Sequence, residues 1–142
     1  MKKALIFFGL LCSTLVYAYP PGANPDYLIV FGSCFEKERI GLKINNVQIF
    51  EGYEIASEKE NQRGNLSIKQ SENGLEIFYN GNHQSISKVD FDYELNIEVT
   101  INKKVNKYSV DLRRGKVVVF QNCSEATRKL SVEQIQEQVF LM

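Results

Sequence analysis

The stretch Val89-Asp90-Phe91-Asp92-Tyr93-Glu94-Leu95-Asn96-Ile97-Glu98-Val99-Thr100-Ile101 decides the fold class. Every odd position is apolar and every even position is polar. Strict alternation is the pattern of a β-strand with one buried and one solvated face. At ~3.3 Å per residue an unbroken strand of this length would span about 43 Å. A bend, a bulge or service to two sheets is therefore expected partway along it.

Hairpin signals surround this stretch. Ile40, Leu42 and Ile44 alternate into Asn45-Asn46, and Val47 and Ile49 follow. A two-residue loop there pairs Ile44 with Val47 and Leu42 with Ile49, and asparagine tolerates the positive φ that such loops need. Asn73-Gly74 separates Leu66 and Ile68 from Leu75, Ile77 and Tyr79, and Asn80-Gly81 leads on to Ile86. After a turn near Asn102-Lys103-Lys104, Tyr108, Val110 and Leu112 are expected to pair back onto the long strand. Each turn keeps the apolar residues on one face, and that agreement predicts a meander of hairpins. The segment Glu58-Lys59-Glu60-Asn61-Gln62-Arg63-Gly64 reads as a hydrophilic loop.

Two runs are apolar on both faces, Tyr27–Phe31 and Val117–Phe120. Each ends three residues before a cysteine, Cys34 and Cys123. A bond between these cysteines requires the two strands to run roughly parallel and to end at the same pole, either side by side or across the core. The C-terminal segment 130–142 has two readings. Leu130 and Val132 alternate like a strand, whereas Ser131 and Gln134 would cap a helix carrying Val132, Ile135 and Val139. The strand reading is favoured by its β surroundings.

The N-terminus reads as a cleavable export signal. Lys2 and Lys3 precede an apolar run from Ala4 to Leu15, too short to span a bilayer, and Val16-Tyr17-Ala18 offers a cleavage site. This gives a signal peptide over 1–18, a Pro-rich extended lead-in over 19–26, and one β domain over 27–142. Cys12 opens an alternative, lipid anchoring, although Leu11 stands where a lipobox wants a small residue. No later segment is apolar and long enough for a membrane helix, so no transmembrane segment is expected in the mature chain. Without Lys2 and Lys3, 15 basic side chains face 17 acidic ones, a formal charge of −2. Such a balance gives no pull toward nucleic acid. In an oxidising compartment Cys34 and Cys123 are expected to form a disulfide.

The chemistry-bearing residues are sparse. His83 is the single histidine and there is no tryptophan. No C-x-x-C and no nucleophile elbow is present, so neither a catalytic group, nor a cofactor, nor a metal cluster is expected. Asp90, Asp92, Glu94 and Glu98 lie on one strand face. They read as partners for cross-strand bases more readily than as calcium ligands, which come from flexible loops. Phe50 and Phe78 fall out of phase with the inward residues, and with Tyr53 they form the candidate binding set unless a second sheet covers them. Asn65-Leu66-Ser67 and Asn122-Cys123-Ser124 match the glycosylation sequon.

The expected fold is an antiparallel β-sandwich built from a hairpin meander, with a small meander barrel as the alternative. The expected function is that of an exported, non-enzymatic binding module contacting protein or glycan in the periplasm or outside the cell. An inhibitor or immunity protein that blocks an exported enzyme is the alternative. A small carboxylate-dependent hydrolase is the third reading.

Overall fold

Asparagine and glycine in left-handed conformation build the hairpins. Asn45 and Asn46 lie at φ 48° and 65°, Asn80 and Gly81 at 50° and 76°, and Asn102 and Lys103 at 47° and 72°. Two consecutive positive-φ residues make a type I′ turn, whose twist matches that of the strands it joins. The expected turn at Asn73-Gly74 is entered one residue early. Gly74 pairs with Ser71 as the first residue of its strand, and Asn73 lies outside the described residues.

The computed structural model describes residues 26–57, 64–72, 74–87, 89–123 and 130–136. The expected signal segment, Cys12, the lead-in up to Pro25, residues 58–63 of the hydrophilic loop and residues 137–142 lie outside them. The strands are β1 (Tyr27–Phe31), β2 (Glu36–Ile44), β3 (Val47–Ala56), β4 (Leu66–Ser71), β5 (Gly74–Tyr79), β6 (Asn82–Ile86), β7 (Glu94–Ile101), β8 (Lys104–Asp111), β9 (Val117–Gln121) and β10 (Ser131–Ile135). A six-stranded sheet runs β10-β9-β1-β4-β5-β6 and a four-stranded sheet runs β3-β2-β7-β8. They pack face to face as a sandwich and do not close into a barrel. The start of the C-terminal segment is a strand, β10, as its alternation predicts.

The two all-apolar runs are neighbours in one sheet. β1 and β9 are parallel, with Leu28 opposite Val117 and Phe31 opposite Phe120. Phe31 stacks on Phe120 at 5.4 Å between ring centroids. Cys34 and Cys123 are bonded just beyond the strand ends, with Cα atoms 5.0 Å apart. Between strand ends and disulfide, Gly32 N–H donates to Phe120 O and Asn122 N–H to Ser33 O. The staple thus closes a pole that backbone bonds already hold.

The core lies between the sheets. Ile29, Phe31, Ile68, Ile77, Val118 and Phe120 face Ile40, Leu42, Ile44, Leu95, Ile97 and Val99, and all of these are buried. Burying such a side chain contributes ~1.5–3 kcal/mol.

Two expectations need correction. The long alternating stretch is not one strand, because β7 begins only at Glu94. Val89 remains buried, but its backbone is bonded by a side chain instead of a ladder. The buried Gln70 donates from Nε2 to Val89 O at 3.0 Å and accepts from Val89 N–H at 3.4 Å through Oε1. The same Oε1 accepts from the Tyr27 hydroxyl at 3.1 Å. Asn45 Nδ2 then donates to Asp90 O, and Phe91 packs edge-on against Tyr27 at 5.2 Å. Residues 89–92 therefore keep their alternation while packing on the core outside the ladder, and Tyr93 O, which accepts from Leu112 N–H at 2.8 Å, leads into β7.

The second correction concerns β3. Leu42 pairs with Phe50, not with Ile49, because the register shifts on both sides of Leu42. Leu42 opposes Phe50 and Lys43 opposes Gln48, so Ile49 is an extra residue. In such a bulge, consecutive residues turn to the same side of the strand, and Ile49 and Phe50 are both buried. A second bulge sets Glu51 and Gly52 against Gly41, with Gly52 at φ 76°.

Candidate interaction edge

The bulges in β3 decide the fate of the aromatic residues. Phe50 is only 5% exposed and belongs to the core. Tyr53 is half-buried between two rings, stacked on Phe50 at 4.6 Å and on Tyr79 at 4.5 Å. The Tyr79 hydroxyl donates to Glu54 O, and that of Tyr53 donates to Gln84 Oε1 at 3.4 Å. This column of rings ties β3 to β5 and β6 across the open side of the sandwich, with Phe50 in the core and Tyr53 half-buried at its rim. Phe78 alone of the three points outward, 41% exposed on the other sheet. It stacks on His83, its direct cross-strand partner, at 5.0 Å, and His83 Nε2 lies 3.3 Å from Glu76 Oε1. The paired surface aromatics expected of Phe50 and Phe78 therefore do not form.

The acidic row is divided by the end of the ladder. The turn at Asn102-Lys103 sets Glu98 opposite Lys107, and the two meet at 3.0 Å. Lys43 approaches the same carboxylate at 3.9 Å from the other side. Glu94 falls opposite Asp111, a like-charge pairing relieved by Arg113. Arg113 donates from Nε and Nη2 to the two carboxylate oxygens of Asp111 at 2.9 and 3.0 Å. These bonds hold the Asp111 carboxyl below the usual carboxylate range and raise the Arg113 guanidinium. Asp92 accepts from the N–H of Tyr93, whose ring lies 5.6 Å under the Arg113 guanidinium. Among the described residues no three metal-ligating side chains converge.

Protein-family models, curated proteins and solved structures give no match to this chain.

The sandwich has four sheet edges, and three of them are blunted. β3 carries two bulges, and β6 and β10 are five residues each. Short or bulged edges resist pairing with another chain. The fourth edge, β8, has eight residues in unbroken register with β7. A two-residue hairpin makes Ile101 and Lys104 a doubly hydrogen-bonded pair, and this alternates along the ladder. Lys104, Asn106, Tyr108 and Val110 therefore bond to β7, while the N–H and C=O of Val105, Lys107 and Ser109 point outward. The next outward carbonyl, that of Asp111, accepts from Arg114 N–H and from Gln134 Nε2. No described residue bonds to the outward groups of Val105, Lys107 and Ser109.

Beside this edge runs an open groove of ≈ 340 Å³ lined by Lys104, Val105, Asn106, Lys107, Tyr108 and Leu130. Its floor is fixed by the Tyr108 hydroxyl donating to Leu130 O at 2.9 Å, and burial pushes that phenol upward in pKa. Val105 is 52% exposed, the most exposed of the large apolar side chains among the described residues. Sequence reasoning missed this site because edge status depends on strand order. Its one sequence signal is the pair Lys104 and Lys107 beside an apolar Val105 in an otherwise ordinary hairpin.

Proposed function

We propose that the chain is an exported, non-enzymatic binding module that contacts a protein outside the cytoplasm through a sheet edge. The observation that carries this is the regular β8 strand, whose outer side no described residue pairs with, and the groove along it. Partner proteins use such an edge by adding a strand, with backbone bonds supplying affinity and alternate side chains supplying specificity. The export signal and the Cys34–Cys123 disulfide, which fits an oxidising compartment, support the location.

The test is affinity capture from the exported fraction with the secreted protein as bait, run beside a glycan array. A saturable protein partner is the expected result, and the absence of any ligand would sink the reading. Capture of an exported toxin or hydrolase that loses activity on binding would make the protein an inhibitor or immunity protein. The exposed Phe78–His83 stack favours a second reading, a glycan platform. Array binding that disappears in Phe78→Ala would select it.

A further inference from the structure

We infer that β8 receives an extended, acidic segment of its partner as a fifth strand of the four-stranded sheet. This rests on the binding-module reading and names the partner chemistry at that site. The backbone of Val105, Lys107 and Ser109 presents alternating donors and acceptors to one incoming strand. The charge beside them is positive. Lys104 lines the groove and Lys103 stands exposed in the turn. Lys107 carries a side chain 75% exposed and shares Glu98 with Lys43, so two lysines face one carboxylate.

Charge also decides between occupants. In antiparallel pairing with a second copy of β8 centred on Lys107, that lysine would meet its own counterpart, and like charges directly opposite are unfavourable. The lysines thus guard the edge against self-association and leave it open to a strand carrying Glu or Asp at alternate positions. Lys107 takes carboxylates on one face of the incoming strand, and the groove beside Tyr108 and Leu130 takes the intervening apolar side chains on the other face. An alternating acidic–apolar segment satisfies backbone, charge and groove together.

The probe is an alternating valine–glutamate octapeptide added to the secreted protein, with a valine–lysine octapeptide as comparator. Hydrogen exchange at individual amides is the readout. Binding of the acidic peptide is expected to slow exchange at Val105, Lys107 and Ser109 at least tenfold, with the lysine peptide ineffective. In Lys104→Glu/Lys107→Glu the preference should invert, with affinity for the acidic peptide falling roughly tenfold. Both side chains are exposed, so the far-UV spectrum of the variant should stay as in the parent, with a small fall in unfolding midpoint because Lys107→Glu sets two carboxylates opposite each other at Glu98. Protection at β3, β6 or β10 instead, equal binding of both peptides, or no binding of the acidic peptide would each overturn the inference. So would heparin displacing the peptide while itself leaving the three amides unprotected and binding more tightly, the mark of a polyanion site. Affinity capture separates this failure from that of the parent reading. A partner captured equally by parent and variant retains the binding module and removes β8, whereas no capture by the parent removes both.

Discussion

Replacing Gln70 with leucine is expected to destabilise the protein by roughly 3 kcal/mol, although leucine fills nearly the same volume and is apolar. Gln70 is 1% exposed, and its amide serves three groups that are themselves buried or close to it. Val89 O receives a bond of 3.0 Å, the Tyr27 hydroxyl gives one of 3.1 Å, and Val89 N–H gives a longer one of 3.4 Å. A buried polar group left without a partner costs about 1–3 kcal/mol. Two good bonds and one weak one lost, less the transfer gain of the leucine, bring the net to that figure. Urea unfolding followed by far-UV circular dichroism and tyrosine fluorescence measures it, with a fall in Tm of about 10 °C. The variant Tyr27→Phe isolates the hydroxyl and should cost about 1 kcal/mol. The double variant should cost less than the sum of the two singles by about 1 kcal/mol, because both changes break one bond. A cost below about 1 kcal/mol for Gln70→Leu, or strict additivity with Tyr27→Phe, would refute the claim that this amide substitutes for a strand partner.

Three further outcomes are expected. Cys34→Ser/Cys123→Ser should lose about 4–5 kcal/mol by the chain-entropy relation for a sequence separation of 89. The loss is measured by urea unfolding of the oxidised parent and the variant, and a value near zero would mean that the β1–β9 contact alone carries the pole. Burial raises the Tyr27 phenol above its ordinary pKa, so the folded state holds that proton more tightly than the unfolded chain. The contribution is complete below pH ~10 and is lost above it at up to ~1.4 kcal/mol per pH unit, a slope that Tyr27→Phe should reduce by one proton in alkaline unfolding titrations. Asn65→Ala should cost about 2 kcal/mol in the same unfolding assay. Its amide donates to Glu54 O at 3.2 Å and to Asn80 Oδ1 at 2.6 Å, and its Oδ1 accepts from Ala56 N–H at 3.2 Å, so one side chain links the two sheets.

Alternation and turn chemistry made most of the architecture legible. Asn45-Asn46 and Asn80-Gly81 lie in the left-handed region that their residue types suggest, and Asn102 carries Lys103 into it as well. Tyr27–Phe31 and Val117–Phe120 proved central and parallel, because an apolar run followed by a bonded cysteine constrains both direction and end point. Phe50 was misread because a period-two count assumes no inserted residue, and Ile49 is one. Gly52, in a strand otherwise rich in large side chains, was the available hint. The departure of Val89 from the ladder goes with its bonds to Gln70, nineteen positions earlier, and no local pattern contains them. The β8 edge was invisible for a similar reason. Its residues read as any hairpin strand, and only the order of strands in space makes it the last strand of its sheet.

The parallel contact of β1 with β9 has a consequence for how the chain is completed. β1 can pair with β4 as soon as residue 70 is available, since Tyr27 lies opposite Gln70. Its other side waits for Val117–Phe120. Until then Tyr27–Phe31 is an open, wholly apolar edge, the kind of strand that recruits other chains. A chain interrupted before residue 117 would hold folded hairpins and an adhesive border at the centre of its larger sheet. The vulnerable period of this domain is the interval between the emergence of β4 and the arrival of β9.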